Sequence, residues 1–205
     1  AQALEKIAAG FRVVKLKIGA LDWQQELLLL KELRANAAAD ELTIRVDANG
    51  AFTPEQALEV LQELAKLEVH SIEQPIKSGN LNSMSELCKK TPFPIALDEE
   101  LIGVVSRTEK IALLEQINPQ YIILKPSLHG GFTGVKEWIT LAQERQIGWW
   151  LTSALESAIG LSAIVQFGAG YSLEIAQGFG TGGLYTNNFH SSLAIENGHI
   201  YWLND

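Results

Sequence analysis

Six charged side chains stand at the ends of short apolar runs, and their types alternate in a way that could do chemistry. Lys15 and Lys17 close the run at residues 12–18, Asp47 follows 43–46, Glu73 follows 70–72, Asp98 follows 94–97 and Lys125 follows 121–124. If these runs are strands that open onto one mouth, three carboxylates crowd together with ammonium groups on either side. Carboxylates so placed repel unless a cation sits among them. Hard oxygen ligands with no His or Cys nearby suit Mg2+, with Mn2+ as its substitute, and Mg2+ keeps coordination positions open for water or substrate. A metal holding a substrate carboxylate stabilises the enediolate formed when a proton leaves the adjacent carbon. A lysine can remove that proton once the metal and a second lysine lower its pKa. Asp47, Glu73 and Asp98 are therefore the candidate metal ligands, and Lys15, Lys17 and Lys125 the candidate catalytic groups. The competing reading of each acid is a solvated charge in a turn. It weakens because all three occupy the same place in successive units.

The elements that must position these groups follow from periodicity. Further β-rich runs lie at 148–151 and, more weakly, at 173–176, giving six clear strands and an expected seventh. Between the runs, apolar residues recur at helical spacing: Leu27, Leu28, Leu30 and Leu33; Ala57, Val60, Leu61 and Leu64; Ile111, Leu113 and Leu114; and residues 135–142. Thr53 and Pro54 read as an N-cap and first turn. Cys88 falls in another helical stretch and reads as a small buried hydrophobe. Strands separated by helices imply a parallel sheet. The turn after the first run, Lys17-Ile18-Gly19-Ala20-Leu21, is no glycine-rich phosphate loop, which argues against a dinucleotide-binding sheet. The expected fold is α/β, a (β/α) barrel with the charged strand ends around one mouth. A complete eightfold barrel takes about 250 residues. The expectation is therefore one domain over residues 1–205, an incomplete (β/α)7β-type barrel without its first strand.

Composition excludes several classes. The 205 residues carry 16 Lys+Arg against 24 Asp+Glu, a net charge of −8, and 47% are hydrophobic. That balance builds a core and opposes nucleic-acid binding. No apolar run reaches the roughly 18 residues of a membrane span. One cysteine makes no internal disulfide, and the expected location is cytoplasmic. His70, His129, His190 and His199 show no ligand spacing and read as core or surface residues. The loop 178–183 lacks the Lys-Ser/Thr of a P-loop and reads as a tight turn at the mouth. Of the pair Trp149-Trp150, one ring is expected to face the helices and the other the barrel interior.

Lys15-Leu16-Lys17, Asp47-Ala48-Asn49, Ser71-Ile72-Glu73-Gln74-Pro75, Ala96-Leu97-Asp98-Glu99 and Ile123-Leu124-Lys125-Pro126 together resemble the signature set of the enolase superfamily, in particular its muconate-lactonising subgroup. Within it, Thr152-Ser153-Ala154-Leu155-Glu156-Ser157 and residues 180–188 are similar to the o-succinylbenzoate synthase family of menaquinone biosynthesis. The resemblance implies a Mg2+-dependent syn dehydration of 2-succinyl-6-hydroxy-2,4-cyclohexadiene-1-carboxylate. It assigns Lys17 as the base that returns its proton to the departing hydroxyl, Lys125 as the cation on the opposite face, and Lys15 as the group that holds the carboxylate and lowers the pKa of Lys17. It also implies that Asn49 supports the metal shell, and that Ser153, Gly130 and Gly131 lie near the succinyl tail. An N-terminal capping domain is implied upstream of residue 1, and a homo-oligomer is an option. Racemisation of N-acylamino acids or epimerisation of dipeptides is the alternative reaction, and an inactive metal-binding fragment the alternative of another class.

Overall fold

The computed structural model describes residues 2–180 and 185–203. Six parallel strands, β1 (Val13–Lys17), β2 (Thr43–Asp47), β3 (Ser71–Glu73), β4 (Ile95–Leu97), β5 (Tyr121–Leu124) and β6 (Gly148–Leu151), pair in sequence order. A helix, α1 (Gln2–Ala8), precedes them, and α2 (Trp23–Asn36), α3 (Pro54–Ala65), α4 (Leu81–Lys90), α5 (Arg107–Ile117) and α6 (Gly131–Glu144) make the crossovers. After β6 come α7 (Ala158–Gly168) and a separate antiparallel hairpin, β7 (Leu193–Glu196) and β8 (His199–Trp202). Among the described residues no helix is long and apolar enough to cross a membrane.

Strand alternation divides each strand between two environments. Ile44, Val46, Ile72, Leu97, Ile122, Leu124 and Leu151 join the main core with Leu30, Leu33, Val60, Leu61, Leu64, Leu114 and Trp138 from the helices. The opposite strand face carries Arg45 and Asp47, Ser71 and Glu73, and a small apolar cluster of Ala96, Ile123 and Trp150. The sheet is curled: the Arg45 guanidinium of β2 lies 4.2 Å from the ring centroid of Trp150 on β6. Across a flat sheet, four strand spacings would part them by roughly 19 Å.

Local signals act as their chemistry requires. Thr53 and Gln56 form a reciprocal capping box that starts α3, with Pro54 in its first turn, and Ser106 with Glu109 does the same for α5. The expected apolar face of α2 is narrower than the sequence implies. Leu27, Leu30 and Leu33 are buried, but Leu28 is 65% exposed. Glu26 is instead buried on the face it shares with Leu30 and Leu33, and its carboxylate accepts from the Gly19, Ala20 and Leu21 amides at 2.6, 3.1 and 2.9 Å. The amides of that turn are therefore already satisfied by the chain itself.

The seventh strand expected at 173–176 does not form. The return segment meets the end of β6 through a single parallel bridge between Thr152 and Gly178, with the Gly178 N–H donating to Leu151 O at 2.8 Å. Side chains take over the ladder there. Gln177 Oε1 accepts from Leu151 N–H at 2.7 Å, and Ala176 O accepts from Arg45 at 2.9 Å. Once these side chains hold the segment, its backbone need not be extended. Trp150 faces the interior beside Tyr121 and His70, whereas Trp149 packs against Tyr171, as the alternation requires.

Candidate active site

Register brings the charged strand ends together. Lys17 lies opposite Asp47, and Asp47 opposite Glu73, in one continuous row of parallel pairing. Asp98 and Lys125 follow the last residues of β4 and β5. Lys15 donates to Asp47 Oδ2 at 3.0 Å and to Glu73 Oε2 at 2.8 Å, and Lys17 donates to Asp47 Oδ2 at 2.8 Å. Lys125 pairs with Asp98 Oδ2. Three cations thus hold the three acids from opposite sides, Lys15 and Lys17 on the β1 side and Lys125 on the β5 side.

Burial sets the electrostatics. Asp47, Glu73 and Asp98 are almost wholly removed from solvent, and a buried carboxylate is costly unless paired. Burial, aided by the charges of Asp47 and Asp98, pushes Glu73 up to about 8 against the pull of Lys15. For Asp47 burial acts in the same direction, but Lys15 and Lys17 outweigh it and hold its carboxyl below the usual range. Burial would lower the Lys15 ammonium, yet Glu73 and Asp47 keep it above its ordinary value.

Whether these residues suit a divalent cation can be judged from their unused oxygens. Glu73 Oε1 and Asp98 Oδ1 are buried without a hydrogen-bond partner, as is Glu99 Oε2. Buried carboxylate oxygens without donors are what a hard cation would satisfy, so the donor set fits. In the arrangement described, Lys15 and Lys125 occupy the other oxygens of Glu73 and Asp98, and the Asn49 amide that of Glu99. Among the described residues no three His, Cys, Asp or Glu side chains are drawn together tightly enough to form a ready-made cage.

Asn49 also faces this centre. It accepts from Lys17 through Oδ1, donates from Nδ2 to Glu99 Oε1 at 2.8 Å, and its backbone N–H donates to Asp47 Oδ1 at 3.1 Å. It therefore couples the base candidate to the acid ring. Ser153 is buried just past β6, where Gly178 O accepts from its backbone N–H at 3.4 Å and its Oγ accepts from Leu155 N–H at 3.0 Å. Gly130 and Gly131 are exposed at the start of α6, both in the left-handed region at φ 79° and 67°. These three line the loops beyond β5 and β6 rather than the acid ring. Of the loop at 178–183, residues 181–183 lie outside the described residues, as does Leu184.

Two supporting residues, Gln74 and Arg45, were given no role of their own by the sequence reading. Gln74 is fully buried at φ 40°, with Oε1 accepting from the Asp98 and Glu100 amides at 3.2 and 3.3 Å and Nε2 donating to Glu100 Oε2 at 3.0 Å. It fixes the backbone from which Asp98 projects. Arg45 lies two residues before Asp47 on the same strand face, stacked on Trp150. Position i−2 from a candidate ligand was the signal that could have revealed it.

A curled parallel α/β sheet with carboxylates and lysines at the carboxyl ends of successive strands defines a barrel-type catalytic domain. The chain belongs to the enolase C-terminal domain-like family, whose model matches residues 1–204. Enzymes of the enolase superfamily generally use a divalent metal ion. The chain is 52% identical over 193 residues to the o-succinylbenzoate synthase of Desulfotalea psychrophila, covering 94% of this chain and 52% of that protein. The crystal structure of MenC from Desulfotalea psychrophila superposes with a TM-score of 0.92 at 50% identity, over 97% of this chain and 55% of that one. Muconate lactonizing enzyme from Pseudomonas putida superposes at 0.80 with 26% identity, over 96% of this chain and 53% of that one, which agrees with the muconate-lactonising subgroup. The chain thus spans about half the length of the relatives it matches.

Proposed function

We propose that this chain is the catalytic barrel portion of a Mg2+-dependent, cytoplasmic lyase of the o-succinylbenzoate synthase type, acting in menaquinone biosynthesis. The observation that carries the reading is the pair of lysine groups on opposite sides of three buried acids, in a chain half identical to such a synthase. The reaction is the syn dehydration of 2-succinyl-6-hydroxy-2,4-cyclohexadiene-1-carboxylate to o-succinylbenzoate. An N-terminal capping domain, as expected from the resemblance, would complete the protein and cover the mouth.

Asp47, Glu73 and Asp98 would hold the cation, which when bound supplies positive charge to the substrate carboxylate. Lys17 takes the proton from the carbon next to that carboxylate, and the electron pair moves toward the carboxylate oxygens. The C–O bond to the hydroxyl then breaks, and Lys17 returns the same proton to the departing oxygen, so that water leaves. One base serving both steps accounts for removal from a single face. Lys125, opposite, places a fixed ammonium near the developing negative charge. Lys15 holds Asp47 and Glu73 and adds positive charge beside Lys17. Asn49 orients the Lys17 amine, and Ser153, Gly130 and Gly131 border the space for the succinyl tail.

The test is dehydration of the cyclohexadiene substrate by this chain, alone and joined to the upstream capping region, with chelator and Lys17→Ala as controls. Mg2+-dependent turnover that vanishes in both controls supports the reading. Absence of dehydration together with solvent deuterium at the α-carbon of an N-acylamino acid or dipeptide would replace it with racemisation or epimerisation. Lys17 and Lys125 would then act as opposed bases.

A further inference from the structure

The turn that follows β5 closes on itself at Lys125. Leu128 and His129 N–H groups both donate to Lys125 O, at 2.9 and 3.1 Å. In return, the Lys125 N–H donates to Nδ1 of His129 at 3.0 Å. Both polar groups of the Lys125 backbone are therefore engaged by this turn, one of them by an imidazole only 4% exposed. The turn is itself clamped from behind. A Cβ at Gly134 would lie 1.9 Å from His129 O, so glycine there lets the first turn of α6 pack against the histidine.

A ring nitrogen that accepts from an amide carries no proton, so the neutral ring bears its hydrogen on Nε2. Burial lowers this imidazole to about 4, and the Lys125 and Lys110 cations add to that against the attraction of Asp98. Nε2 itself is buried without a protein partner. The ring is thus neither a surface histidine nor an apolar filler. One nitrogen is spent on the amide of the lysine that faces the acid ring.

We propose that His129 is a positioning residue, whose Nδ1 fixes the Lys125 backbone and so the direction from which the Lys125 ammonium enters the site. The proposal deepens the reaction reading above and rests on it for the role of Lys125. A strand end has no further ladder partner to hold it, and lysine reaches its target over four rotatable bonds. An anchored Cα restricts the positions that the ammonium samples.

The experiment compares His129→Leu, which removes the acceptor, with His129→Asn, whose Oδ1 can occupy the Nδ1 position. Amide hydrogen exchange of Lys125 is read by NMR, beside kcat, KM and Mg2+ affinity, all on the capped protein. In H129L the Lys125 amide should exchange at least tenfold faster, with kcat down tenfold or more and with KM and Mg2+ affinity within threefold. H129N should regain most of both. Should H129L fail to fold, H129A, which also lacks the acceptor, takes its place. Unchanged exchange in the acceptor-less variant, or an H129N as defective as H129L, would overturn the proposal. If the wild-type protein dehydrates nothing, the reaction reading fails, and exchange alone then decides whether His129 holds Lys125.

Discussion

The inner face of one curled sheet is built in two ways along its length. Toward the amino ends of the strands it is stacked and aromatic. His70, Tyr121 and Trp150 pack with centroids 5.4 to 6.5 Å apart, and Arg45 lies over the indole. Two residues further along β2 the same face becomes the ring of Asp47, Glu73 and Asp98, held by Lys15, Lys17 and Lys125. The aromatic floor gains from contact and area, whereas the acid ring concentrates like charge in a buried place, which folding alone would not favour. Buried carboxylate oxygens at the mouth remain without donors. The difference teaches that the floor supplies stability and the mouth stores charge for a ligand.

Substitutions at the two ends should therefore fail in different ways. At the mouth, Lys17→Ala should lower dehydration by about 10³-fold or more while Mg2+ affinity by calorimetry changes little. Comparable turnover in that variant would remove Lys17 from the chemistry. At the floor, Trp150→Ala should cost about 3–5 kcal/mol in a denaturant titration, because it removes the ring on which Arg45 stacks and the largest member of the inner cluster. A loss well under 1 kcal/mol would mean that the interior closes up without it.

Between these extremes lies His129, where the effect should appear as a pH slope. Its imidazole titrates near 4 when folded and near its ordinary 6.5 when unfolded. From pH 6.5 down to 4 the unfolded chain binds a proton that the folded chain refuses, so stability is full above 6.5 and declines toward 4. Chemical denaturation across that range should show a shallower decline in His129→Asn, and equal slopes would refute the assignment. The smallest effect is expected at Cys88. It is buried in α4, and burial pushes its thiol up to about 12. A thiol reagent at neutral pH should leave the native protein unlabelled and react fully once denaturant unfolds it. Rapid native labelling would show that α4 opens locally.

Much of this was legible in the residues. The apolar runs and the helical spacing between them specify a parallel α/β chain, because covered strands and one-sided helices have different periods. The six charges were identifiable because they close five successive runs, Lys15 and Lys17 sharing the first, and a strand of three to five residues leaves little room for error in where it ends. The expected seventh strand failed because a pattern such as Leu173-Glu174-Ile175-Ala176 does not reveal that Arg45, 131 positions away, and Gln177 will take the strand's hydrogen bonds. Leu28 misled for a related reason: the run of leucines does not show that Glu26 turns inward to satisfy three amides, so that α2 faces the core with Glu26, Leu30 and Leu33 while Leu28 faces away.

The sequence by itself determined which groups are acid and which are base, the order in which they meet the mouth, and the alternation that turns them all to one side. Those properties follow from side-chain chemistry and the two-residue period of a strand. Only the tertiary structure decided which oxygens the lysines occupy and which stay without a donor. It alone placed Gln74 behind Asp98 and set His129 against the amide of Lys125. Such pairings depend on left-handed turns, on the close approach of α6, and on the curl that brings β2 against β6. A hydrogen bond between distant residues exists only when the whole backbone has brought them within about 3 Å.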